Sequence, residues 1–102
     1  MIDAPSSLLR TADVRVPDTV VFRSLAAETV VLDLRTGLYH GFGVRAGELL
    51  TALAQAGSPA LAARRLAAAT GEAVAALEAE LCEVCRTLEA QGLLDVRFDS
   101  QD

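Results

Sequence analysis

The sequence predicts an α+β domain of winged helix-turn-helix-like order, with a three-stranded antiparallel sheet followed by three helices. Three observations predict it. The runs "TVVFRSL", "TVVLDL" and "LYHGF", rich in β-branched and aromatic residues, follow one another between Thr19 and Phe42 with only turn-sized links between them. Helical periodicity takes over at Val44 and reaches Gln91, broken only near Gly57 and Gly71. A chain of 102 residues that is 52% hydrophobic has enough apolar material for one compact core.

In order along the chain, residues 1–18 hold Pro5, Ser6, Ser7 and Pro17 without a sustained period. They are expected to form a flexible N-terminal tail. The domain is expected over 19–98, with a C-terminal tail at 99–102. Between the second and third strands, Arg35, Thr36 and Gly37 form a short link with glycine where a left-handed residue is wanted, which predicts a hairpin with a bulge. Alternation in the second strand predicts Val30, Leu32 and Leu34 on the core face and Thr29, Val31 and Asp33 on the other.

The first helix carries Val44, Leu49, Leu50 and Leu53 on one stripe and stops at Ala56-Gly57. Ser58 and Pro59 then cap and open a second helix that Gly71 ends. The third and longest helix runs from Glu72 to Gln91. Val74, Leu77, Leu81, Val84, Cys85 and Leu88 recur in it at threes and fours, Glu72 stands at its positive start and Gly92 follows as a stop. "LLDVRF" after it predicts a short extended segment.

Charge and composition exclude several function classes. Nine arginines and no lysine stand against 14 acidic residues, giving a net charge of −5, and only Arg64 and Arg65 are adjacent. Scattered cations on an acidic chain make a nucleic-acid backbone a poor partner, whereas a neutral or basic peptide is not repelled. The alternative reading, a winged-helix DNA-binding transcriptional regulator, needs basic and amide side chains on a recognition helix, and the third helix is rich in glutamate. No run approaches a membrane span, and the start lacks a secretory signal, so the expectation is a cytoplasmic protein with no membrane partner. Cys82 and Cys85 spell C-E-V-C inside a helix, without the strand-to-helix context of a redox pair or two further metal ligands. They are read as small apolar residues that stay reduced. No catalytic residue, metal ligand or cofactor is expected, and the protein is not expected to be an enzyme.

The run "VVLDLRTGLYHGFGVRAGELLTAL", the capped second helix and the long helix ending "CRTLEAQGLL" together resemble the PqqD-like family, also called RiPP recognition elements. The likeness spans roughly Thr19 to Leu94 and is most like the stand-alone leader-binding proteins of lasso-peptide biosynthesis. It implies non-catalytic binding of the leader segment of a ribosomally synthesised precursor peptide. The leader would add a strand to the third strand, with side chains in the groove beside the third helix, and be delivered to a leader peptidase and, in the lasso case, a cyclase. Peptide-binding positions implied on the strand are Leu38, Tyr39, His40, Gly41 and Phe42. On the helix they are Leu77, Glu78, Leu81, Cys82, Cys85 and Leu88. The sequence departs from the family at Gly43, where members tend to have Asn or Asp.

The residues support the same surface independently. "LYHGF" carries no full charge and no proline, so it is an unprotected sheet edge open to an added strand. Such an edge also permits a dimer, so the protein is expected to be a monomer or an edge-strand dimer. Proline at Leu38 or His40 tests the edge if those donors face outward. Tyr39 is open to two readings, a pocket wall or a half-buried core tyrosine. Phe42 reads as core, and His40 as a surface or cross-strand residue. Glu78, Cys82 and Glu89 lie on one flank of the third helix and Glu80, Val84 and Gln91 on the other, leaving open which flank faces the groove.

Overall fold

The computed structural model describes residues 6–98. The three expected strands form as β2 (Val20–Ser24), β3 (Thr29–Asp33) and β4 (Leu38–Phe42), an antiparallel sheet in the order β2-β3-β4. The three expected helices follow as α2 (Val44–Ala56), α3 (Pro59–Thr70) and α4 (Val74–Ala90), which pack on one another, with α2 also lying against β3. The α+β order read from the sequence is thus the observed one.

Local chemistry accounts for the boundaries. Gly37 has φ 73° and closes the β3–β4 hairpin, its N–H donating to the Asp33 carbonyl at 2.8 Å. A residue with a Cβ would be strained there. The Ser58 hydroxyl accepts from the Leu61 N–H at 3.3 Å, and Pro59 occupies the first turn of α3, where a missing N–H costs nothing. Helix α4 begins two residues later than Glu72, with Ala73 at its cap. The Glu72 carboxylate is instead held by Arg45.

Two expectations are corrected. The tail expected over 1–18 is part of the fold from Ser6 onward: α1 (Ser6–Leu9) and β1 (Asp13–Arg15) bring Leu9, Ala12 and Val14 into the core. Strand β1 pairs with β5 (Asp95–Arg97), the extended segment expected after the long helix. The Val14 N–H also donates to the Gly57 carbonyl at 2.8 Å. A three-residue strand whose partner lies some eighty positions away leaves no local period to read, and the domain expected to begin at residue 19 therefore begins earlier. The outermost parts of both expected tails, 1–5 and 99–102, lie outside the described residues.

The second correction is the face of β3. Thr29, Val31 and Asp33 are buried, and Val30 and Leu32 lie on the more open side; Leu34, in the turn, is exposed. Polar residues occupy core-side positions because the fold satisfies or uses them. The Asp33 carboxylate accepts from the Arg35 N–H at 3.0 Å and from its guanidinium at 3.3 Å, which holds the carboxyl below its ordinary range. Thr29 faces Gly47 of α2 so closely that a Cβ there would overlap the Thr29 hydroxyl and lie 2.8 Å from the Thr29 Cβ.

Candidate functional site

The hydrogen-bond phase of the sheet can be derived from its two ends. Leu25 N–H donates to Glu28 at 2.7 Å and Leu34 N–H to Thr19 at 2.8 Å, so these are hydrogen-bonded pairs of the β2–β3 ladder. Such pairs alternate along an antiparallel ladder, which turns the main-chain groups of Val30 and Leu32 toward β2 and those of Thr29, Val31 and Asp33 toward β4. Their partners Phe42, His40 and Leu38 face inward. The N–H and C=O groups of Tyr39 and Gly41 therefore point away from the sheet, along an edge that pairs with no other strand among the described residues. Leu38 and His40 are the wrong positions for a proline test: the Leu38 N–H donates to Thr36 Oγ1 at 3.2 Å, and His40 lies opposite Val31 in the ladder.

Side chains divide the same strand differently. Leu38, His40 and Phe42 share the face of Asp33, Val31 and Thr29, toward the helices; Tyr39 and Gly41 share the outer face with Leu32 and Val30. Tyr39 is 72% exposed, so the half-buried core tyrosine is not observed. Below the Phe42 end of β4 lies a cavity of about 200 Å³. Phe42 and Thr29 close it on the sheet side, Ala46, Gly47 and Leu50 on α2, and Glu83, Val84, Thr87 and Leu88 on α4. Apart from the Thr29 and Thr87 hydroxyls and the Glu83 carboxylate, these groups are apolar or carry no side chain, which suits a large uncharged side chain entering from the edge.

Of the positions implied from sequence, Phe42 and Leu88 line this cavity. Leu77, Leu81 and Cys85 are fully buried and form core behind it. Cys82 is buried with Arg10 and Glu78 nearby, and Glu78 ion-pairs with Arg10 at 3.6 Å, on the other flank of the helix. The flank of α4 that lines this cavity is the one carrying Val84. Reading from sequence missed Ala46, Gly47 and Leu50, because their closeness to β4 depends on how α2 turns back over the sheet. A signal was available in Gly47, a glycine in a helical stripe where alanine is the better helix former.

Charge lies at the rim. Arg45 donates to Glu80 at 2.7 and 3.2 Å and to Glu72 at 2.7 and 3.1 Å. These bonds, Glu80 first, push the guanidinium pKa up, and they lower those of Glu72 and Glu80. Glu83 approaches Arg86 at 3.6 Å. The buried Cys82 and Cys85 are free thiols, and desolvation pushes the Cys85 thiol up to about 12, so neither is a ready nucleophile. No group of three or more potential metal ligands occurs among the described residues, and no described helix is long and apolar enough to cross a membrane.

Two solved structures have this fold. TbiB1 in complex with the TbiA(beta) leader peptide is 24% identical, with a TM-score of 0.68 over 86% of this chain and 99% of that one. Lasso peptide synthetase B1 complexed with the leader peptide is 21% identical, with a TM-score of 0.68 over 82% of this chain and 99% of that one. No family model and no curated protein matches the sequence.

Proposed function

We propose that the protein is a leader-binding element: it captures the leader segment of a ribosomally synthesised precursor peptide as an added strand on β4, with a bulky side chain in the cavity between β4, α2 and α4. One observation carries the reading. The outward main-chain groups of Tyr39 and Gly41 lie on the strand whose last residue, Phe42, lines an apolar cavity, and strand addition uses such a pairing: backbone bonds hold the peptide and a pocket selects its side chains. That both structural neighbours are complexes with a leader peptide supports it. In this role the protein does no bond-breaking chemistry and hands the peptide to separate enzymes, a leader peptidase and a cyclase, in lasso-peptide biosynthesis in the cytoplasm. The binding positions proposed are Gly41 and Tyr39 through their main chains and Phe42, Ala46, Leu50, Val84 and Leu88 through their surfaces.

The test is a fluorescence-polarisation titration with a labelled synthetic leader from the nearest short precursor gene, with the TbiA(beta) leader as a second probe and a labelled DNA duplex in parallel. Saturable binding of a leader that persists in moderate salt, weakened in Gly41→Pro, is the expected result. Salt-sensitive binding of the duplex without leader binding would replace this reading with the DNA-binding one. Gly41 suits the substitution because its N–H makes no ladder bond, and proline is tolerated at an edge position of that kind.

A further inference from the structure

The walls of the groove, β4 with the start of α2 on one side and α4 on the other, share no backbone ladder, and side-chain ties across them add to the packing of α2 on α4. At the Phe42 end, Arg45 sits one residue before Ala46 and Gly47 of the cavity wall, and its guanidinium reaches across to Glu80, one turn before Glu83 and Val84 on the opposite wall. The same guanidinium takes Glu72, just ahead of α4. At the Leu38 end, Arg35 in the hairpin is anchored on Asp33 and donates to the Gly92 carbonyl at 3.2 Å, immediately after α4. The hairpin turn before β4 and the first turn of α2 after it are thus each tied to α4 or to the residues at its ends.

We infer that Arg45 and Arg35 are positioning residues that hold β4 and the first turn of α2 at a fixed distance from α4, keeping the groove open to a peptide they do not themselves touch. The inference rests on the proposed peptide-binding role. Exposed ion pairs contribute little to global stability, so a role in folding alone predicts almost no effect when Arg45 is replaced. A role in pre-organisation predicts a selective one. Without the tie the walls sample several separations, and apparent affinity falls by the fraction of molecules whose groove remains competent. Arg45 carries the larger share, since it makes four bonds to two carboxylates.

The experiment compares wild type, Arg45→Gln, the reversal Arg45→Glu and the exchange Arg45→Glu/Glu80→Arg, which rebuilds a cation between Glu72 and residue 45. Arg64→Gln, on the exposed side of α3, controls for the lost charge. Each is titrated with the labelled synthetic leader at low and high salt, and amide exchange is followed over residues 38–47. Arg45→Gln is expected to bind about tenfold more weakly, with faster exchange in β4 and the first turn of α2 and only a slightly lower melting temperature at neutral pH. The exchange variant should recover most of the affinity, and Arg64→Gln should match wild type. Added salt should narrow the gap between wild type and Arg45→Gln, because it screens the tie only where the tie exists. Wild-type binding with Arg45→Gln and Arg45→Glu within about twofold of it, and with unaltered exchange, would overturn the inference and leave the peptide-binding reading standing. Failure of wild type to bind any leader would overturn that reading, while the exchange rates would still decide whether the tie holds the walls.

Discussion

The helical half and the sheet of this molecule use their sequence in opposite ways. In the helices, Leu53, Leu77, Leu81, Ala62 and Cys85 have no exposed surface, and Ser58, Gly57 and Gly71 cap ends of α2 and α3. In the sheet only one face is buried, Leu38 and Tyr39 stand in solvent, and the β4 edge holds unspent donors and acceptors. Burial and satisfied bonds stabilise, whereas binding requires groups left unsatisfied until a partner arrives. The difference places stability in the helices and, on the proposed reading, recognition at the β4 edge.

Leu81→Ala tests that division most severely. It should lower unfolding stability by about 2–5 kcal/mol by opening a cavity among fully buried groups, while Tyr39→Ala should stay within about 0.5 kcal/mol of wild type. Chemical denaturation of both variants measures the contrast, and equal losses would erase it. Gly47→Ala is next. Alanine in a helix interior ordinarily stabilises by about 1 kcal/mol, but the overlap with Thr29 reverses the sign here, to a loss of about 1–3 kcal/mol. A stabilised Gly47→Ala would show that α2 does not press on β3 as described.

A conditional loss follows from the carboxylates. The Asp33 pKa is lowered from 3.8, chiefly by hydrogen bonding from Arg35, and those of Glu72 and Glu80 are lowered from 4.5 by Arg45. Depressed folded values mean stabilisation that is complete above the unfolded values and lost as pH falls through the folded ones. Melting temperature should therefore be level at neutral pH and drop below about pH 4, with a shallower drop in Asp33→Asn. The smallest effect belongs to Gly43, the N-cap of α2, which has no side-chain cap bond, an extended backbone and open space around its Cβ position. Gly43→Asp should add about 0.5 kcal/mol by capping and by restricting the unfolded chain, raising the melting temperature by about 2–4 °C.

What could be read from sequence was what local chemistry decides. The β3–β4 turn at Gly37, the break at Gly57-Ser58-Pro59 and the buried stripe Leu77, Leu81, Cys85 and Leu88 all follow from rules that act within a few residues. Tertiary context decided the rest. The β1–β5 pair joins Val14 to Val96, a separation no periodicity spans. In β3 the apolar count favours the face of Val30, Leu32 and Leu34 over the one that holds Val31 alone, and the opposite side is buried because Asp33 finds Arg35 and Thr29 finds Gly47. The open edge of the sheet was legible as the uncharged "LYHGF". The groove flank of α4 was not, because both flanks carry glutamate and only the return of α2 over the sheet distinguishes them.

The central claim is that the main-chain groups of Tyr39 and Gly41 are free until a peptide pairs with them. Residue-resolved amide exchange of the protein with and without the synthetic leader measures this directly. Fast exchange is expected at Tyr39 and Gly41 in the free protein, slow exchange at His40 and Phe42, and protection of Tyr39 and Gly41 once the leader is bound. Leader binding that leaves both amides exchanging at their free rates would contradict it and place the peptide on another surface.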